Sequence, residues 1–152
     1  MYKRQELRAQ GIGNVVATDQ PHWRDQAAKL TGGASIVAGL DSVGGSASGE
    51  VLSLLSENAT LAVFGAMHSP TMQLASADII FKQITIKGFW GSKASTWLTP
   101  DDVTALFAEL IQRATEGTLT LPSAGVFDAN DVAAAMRLSS TPGRVGKVLF
   151  RF

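Results

Sequence analysis

Short apolar runs alternate along this chain with stretches of helical spacing, and each is closed by glycine or a turn, a pattern that admits few folds. Asn14-Val15-Val16-Ala17 reads as a short buried strand, and Trp23, Ala27 and Leu30 follow at helical spacing until Thr31-Gly32-Gly33. Ser35 to Leu40 is a second apolar run. The turn Asp41-Ser42-Val43-Gly44-Gly45 then leads to a helix carrying Val51, Leu52 and Leu55, and Leu61 to Phe64 makes a third run. Strands alternating with helices at this spacing predict crossover connections and a parallel sheet covered on both faces, hence an α/β fold. Ligands of such a sheet gather at the carboxyl ends of its strands.

The flanking segments are less regular. Glu6 to Gln10 reads as the end of a helix capped by Gly11, while residues 1–5 lack a cap or periodicity and read as a truncation scar. Ile84, Ile86 and Gly88 alternate with Thr85, Lys87 and Phe89, the pattern of a strand with unequal faces at a sheet edge. Thr99 caps a helix with Pro100 at its first position and Asp102 three after the cap. Val103, Leu106, Phe107, Leu110, Ile111 and Ala114 form its apolar stripe, expected to face the core, and Gly117 ends it. A further helix is expected from Asp128, with Phe127 stapled against Val132, and Pro142-Gly143 turns the chain into a last strand, Lys147 to Phe152.

Composition excludes several functions. Thirteen basic residues balance thirteen acidic ones, so no net field draws the chain to nucleic acid or to an anionic membrane surface. No apolar run approaches the length of a membrane span. The chain has no cysteine, which removes thiolate metal sites and a cysteine nucleophile and permits a reducing compartment; the cytoplasm is the expected setting. His22 and His68 lack metal-ligand spacing and stand without an evident carboxylate partner, and no Gly-x-Ser-x-Gly elbow exists. Gly44-Gly45-Ser46-Ala47-Ser48-Gly49 occupies the place of a dinucleotide fingerprint but carries serine at its third position, and the next strand ends in Phe64-Gly65 without an acid.

A series of motifs in fixed order remains. Leu-Thr-Gly-Gly (30–33), Leu-Asp-Ser-Val-Gly-Gly (40–45), Phe-Gly-Ala-Met (64–67) and Gly-Lys-Val-Leu-Phe (146–150) resemble the later cofactor-domain half of medium-chain dehydrogenase/reductases. Phe64-Gly65-Ala66-Met67, Ile80-Phe81-Lys82 and Gly88-Phe89-Trp90 further resemble the corresponding series of 2-enoyl thioester reductases, with Phe64 in place of tyrosine and Ala66 in place of glycine. The resemblance implies a partial Rossmann-like doubly wound sheet over residues 6–120 and a return segment, 121–152, whose last strand belongs to the catalytic domain. It implies NADPH as cofactor and a 2-enoyl thioester as substrate. Phe64, Gly65, Ala66 and Met67 would pass beside the nicotinamide, Phe89, Trp90 and Gly91 would flank its carboxamide, and Lys147 would reach a cofactor phosphate. The catalytic tyrosine, the pyrophosphate turn and the residues selecting the 2′-phosphate would lie upstream, leaving no catalytic residue and no metal ligand here, so that the chain alone would be inactive. A quinone oxidoreductase or zinc alcohol dehydrogenase of the same superfamily, and a non-catalytic α/β interaction module, are the alternatives. The edge strand Ile84 to Phe89 is expected to pair two copies in a homodimer.

Overall fold

The computed structural model describes residues 2–141 and 143–152, which fall into two compact units, 3–94 and 95–152. In the first unit, strands β1 (Ala38–Asp41), β2 (Thr60–Val63) and β3 (Thr85–Gly88) form a parallel sheet in the order β1-β2-β3. Helix α1 (Tyr2–Ala9) and helix α2 (Trp23–Thr31) precede the sheet, α3 (Ser46–Leu54) connects β1 to β2, and α4 (Ser76–Lys82) connects β2 to β3. Parallel neighbours need such crossovers, because a tight turn can only return the chain antiparallel.

One apolar cluster holds this unit together. Leu52 and Leu55 from α3 and its end meet Ala59, Leu61 and Ile84, all buried, with Val51, Val63, Ile79 and Ile86 packed around them. Gly39 in β1 allows that approach: a Cβ there would lie 2.9 Å from a methyl of Val51. Lys82 reaches back across the unit, its ammonium donating to the Ser53 carbonyl at 2.9 Å and pairing with Asp78 at 2.9 Å. These contacts tie α4 to α3.

Two readings of this unit need correction. The helix expected from Glu6 starts earlier, since residues 2–5, which show no periodicity, belong to α1, and Gly11 follows with φ 84°. Residues 14–17 form no strand. Val15, Val16 and Ala17 are half-buried, and Asn14, Val16 and Thr18 line a cleft with Trp23, Ala27 and Leu30, but among the described residues no neighbouring strand completes a ladder. Helix α4 had no forecast, since Ile79-Ile80-Phe81 is a contiguous apolar run too short to show a helical period.

In the second unit, β4 (Ser123–Asp128) and β5 (Lys147–Arg151) pair in parallel, with α6 (Val132–Ser139) between them in sequence and packed on both. Helix α5 (Pro100–Thr115) opens on the expected capping box: the Thr99 hydroxyl accepts from the Asp102 amide at 3.1 Å, and the Asp102 carboxylate accepts from the Thr99 amide at 2.9 Å. The bonds from Thr99 hold the exposed Asp102 carboxyl below its ordinary range. Its apolar stripe behaves differently from the expectation. No residue of α5 is buried, and Leu106, Phe107, Leu110 and Ile111 are all exposed. A two-stranded sheet that already carries α6 leaves little surface for a helix of sixteen residues.

The helix expected from Asp128 starts later. Asp128 ends β4 and its carboxylate pairs with Arg151 at 3.1 Å, so it makes no cap bond; a single 3-10 turn, Ala129–Asp131, intervenes before α6. The Phe127 ring lies over Gly125, where a Cβ would sit 3.0 Å from it, and Val132 remains half exposed.

Helices α3 and α5 should respond unequally to truncation. Leu52→Ala is expected to lower stability in chemical unfolding by about 2–5 kcal/mol through the cavity it leaves. Leu106→Ala, on the open face of α5, should change it by less than about 0.5 kcal/mol.

Candidate active-site edge

The registers Asp41 beside Val63 and Val63 beside Gly88 end the three strands at one level. The next residues, Ser42, Phe64 and Phe89, therefore stand in a row along the carboxyl edge. Two backbone bonds extend the ladders into this row: the Phe64 amide donates to the Asp41 carbonyl at 2.9 Å, and the Phe89 amide donates to the Val63 carbonyl at 2.8 Å. The structure thus brings together seven of the eight residues singled out above, Phe64, Gly65, Ala66 and Met67 beyond β2 with Phe89, Trp90 and Gly91 beyond β3. Lys147 lies in the second unit.

The row is apolar and open. Phe64, Met67, Phe89 and Trp90 are 53%, 86%, 49% and 65% exposed, although each is of a type that folding normally buries. Lys93, in the 3-10 helix Gly91–Thr96, places its ammonium 4.7 Å from the centre of the Trp90 ring, a cation–π contact that pins one face of the indole. The sequence reading had no role for Lys93, because a lone lysine in a polar stretch carries no signal of its own.

Glycine serves packing here as well as access. Gly65 is half buried, and a Cβ on it would sit 3.1 Å from the Ser42 carbonyl oxygen, so its missing side chain lets the loop after β2 lie against the turn after β1. Gly44 has φ +78°, and a Cβ would fall 2.2 Å from the Ser69 carbonyl oxygen. Gly49 is equally close to Gln73, at 2.4 Å. The glycines that fail as a pyrophosphate fingerprint are those that seat the 69–73 loop on the start of α3.

One buried charge lies beneath this turn. The Asp41 carboxylate, 3% exposed, accepts from the Val43 amide at 2.8 Å, the Gly44 amide at 3.2 Å and the Ser48 hydroxyl at 2.6 Å. Burial alone pushes its carboxyl up, but the Ser48 hydroxyl and the Val43 and Gly44 amides outweigh it and hold the carboxyl below the ordinary range. Ser48 is fully buried in the same place. Sequence reasoning took Asp41 as a turn residue, and an Asx turn preceding a serine at the first turn of a helix is the signal that could have found the pair.

His22 does have a carboxylate neighbour, contrary to expectation: its Nδ1 lies 3.5 Å from Asp25, one helical turn on, with both side chains exposed. Among the described residues no three His, Asp or Glu side chains gather as a metal site, and no helix is long and apolar enough to cross a membrane. Lys147 begins β5 exposed, its amide bonded to the Pro122 carbonyl at 2.9 Å, and lines an apolar groove with Leu121, Pro122 and Leu149.

The family model described as zinc-binding dehydrogenase matches residues 1–112. The chain belongs to this family, within the medium-chain dehydrogenase/reductase superfamily. Bovine (Bos taurus) mitochondrial enoyl-[acyl-carrier-protein] reductase is 29% identical over 103 residues, covering 68% of this chain. The chain spans 28% of that relative's length. A solved Bacillus thuringiensis structure described as an NADPH:quinone reductase superposes with a TM-score of 0.79 at 21% identity, over 98% of this chain and 46% of its own. The mitochondrial 2-enoyl thioester reductase heterodimer of Candida tropicalis superposes with a TM-score of 0.69 at 20% identity, over 85% of this chain and 35% of its own. These relatives are oxidoreductases, and the likeness to the solved structures establishes the α/β, Rossmann-like fold.

The titration of Asp41 has a definite sign. A carboxyl held low in the folded state contributes stability that is complete above its unfolded pKa and is lost as pH falls through the folded value. The stability difference between wild type and Asp41→Asn, followed by urea unfolding, is therefore expected to be constant near neutrality and to narrow below the ordinary aspartate range.

Proposed function

We propose that this chain forms the nicotinamide-facing part of an NADPH-dependent reductase of 2-enoyl thioesters. The observation that carries the reading is that the exposed apolar residues Phe64, Met67, Phe89 and Trp90 follow the level ends of two adjacent parallel strands. A pyridine ring needs a flat apolar surface on one side and backbone polar groups at its rim, and strand ends offer both. The small Gly65 and Ala66 keep the backbone of this row accessible. When bound, NADPH would supply the hydride that goes to the β-carbon of the enoyl thioester.

The chain's own residues would bind and orient. Phe64 to Met67 and Phe89 to Gly91 would hold the ring in plane, and Trp90, steadied by Lys93, would wall the cleft and keep water from the reacting carbons. Lys147 would meet a cofactor phosphate as a point charge. The proton for the α-carbon would come from outside these 152 residues, since the sole tyrosine is Tyr2 and neither histidine belongs to the row. The bovine relative, more than three times the length matched here, supports this division of labour. Strand β3, last in the order β1-β2-β3, would pair along Ile84 to Phe89 with a second copy to make a homodimer.

The reading is tested by turnover. The 152-residue chain alone should not oxidise NADPH with a short 2-enoyl thioester. Joined to a family upstream region it should, with the thioester preferred to a quinone, and Trp90→Ala should reduce that preference while Lys147→Ala raises KM for NADPH. Turnover by the chain alone, or a quinone preference in the joined enzyme, would contradict it.

A further inference from the structure

We infer that Asp41 is a positioning residue for the loop 64–69, acting through the backbone of the 41–45 turn; its catalytic meaning rests on the reading of that loop given above. Both carboxylate oxygens are engaged, Oδ1 by the Val43 and Gly44 amides and Oδ2 by the Ser48 hydroxyl. One charge therefore ties together the end of β1, the turn and the first turn of α3. The carbonyls of that same turn then hold the next loop. Ser42 accepts from the Met67 amide at 2.9 Å, and Val43 accepts from the His68 amide at 2.8 Å and the Ser69 amide at 3.2 Å. Further along, the Gly45 amide donates to the Thr71 carbonyl at 2.7 Å, and its carbonyl accepts from Gln73 at 2.9 Å.

The coupling has no slack. The positions for a Cβ on Gly44 and on Gly65 are already filled, by the Ser69 carbonyl and by Ser42, so the turn peptides cannot rotate without displacing the loop that carries Phe64 to Met67. Hydrogen bonds to a buried charge are among the stronger ones and are costly to leave unmade. Loss of the carboxylate frees the Val43 and Gly44 amides, the Ser42 and Val43 carbonyls lose their fixed direction, and Met67 and His68 lose their acceptors. Asparagine can keep the arrangement in part: its carbonyl oxygen accepts from the two amides, and its NH2 donates to the Ser48 hydroxyl, which can accept as well as donate.

Amide hydrogen exchange followed by NMR reads this directly. Asp41→Ala is expected to speed exchange at Met67 and His68 by about tenfold or more. Asp41→Asn should restore most of the protection, and the Leu61 and Ile86 amides, inside the strands, should be unchanged. If Asp41→Ala does not fold, Ser48→Ala, which leaves the turn amides bonded, should give a smaller rise at the same two positions. Unchanged exchange at Met67 and His68 in a folded Asp41→Ala chain whose Val43 and Gly44 amides have opened would overturn the inference. NADPH titration of the same variants, each joined to a family upstream region, separates it from the cofactor reading. Weaker binding by Asp41→Ala than by wild type, recovered in Asp41→Asn, supports both. Wild-type amides that never respond to NADPH in the joined enzyme sink the cofactor reading while the exchange pattern stands, and equal binding by joined wild type and joined Asp41→Ala without coupled exchange sinks the positioning role alone.

Discussion

Parallel pairing in register, Ala38 to Asp41 beside Thr60 to Val63 and those beside Thr85 to Gly88, brings three strands to an end at one level. The first unit depends on this. Because parallel strands require a crossover, α3 and α4 must lie on the sheet, and their apolar residues converge on Leu52 and Leu61. Because the strands end together, every connection starts from the same edge, and the side chains just beyond the ladder, Phe64 and Phe89, become neighbours although they are far apart in sequence. An edge of this kind gathers a binding surface without a dedicated pocket-forming domain.

The sequence carried the regular parts of this arrangement well. The runs ending in Leu40, Phe64 and Phe89 matched β1, β2 and β3 to within a few residues, and the Thr99-Pro100-Asp102 signature matched the start of α5, because each rests on local chemistry. Features that depend on a partner distant in sequence were less legible. Val15-Val16 has the composition of a strand, yet a strand is made by its neighbour. The Asp128 cap was lost to Arg151, twenty-three residues away. Periodicity located the apolar face of α5 and could not say whether anything covers it. Strand β4 contains Gly125, follows Pro122 and shifts register between Ser123 and Gly125, and both residues read as turn residues until β5 supplies the ladder.

The candidate site was legible in a different way. Phe64 to Met67 and Phe89 to Gly91 came from motif order, and the fold joins them on adjacent strand ends, which spacing alone could not have established. Asp41 and Ser48 escaped because a buried pair seven residues apart across a strand, a turn and a helix has no periodic signature. Gly65 shows how two explanations meet in one residue. Its small size suits access to the backbone, and the contact with Ser42 shows that the loops also require it.

The central claim is that the carboxyl edge of β2 and β3 faces the nicotinamide ring. Intermolecular NOEs in a mixture of NADPH with the chain joined to a family upstream region measure it most directly. The account predicts contacts from the nicotinamide ring protons to Phe64, Met67, Phe89 and Trp90. Contacts from that ring to the groove of Leu121, Pro122 and Leu149, or adenine protons in its place along the row, would contradict it.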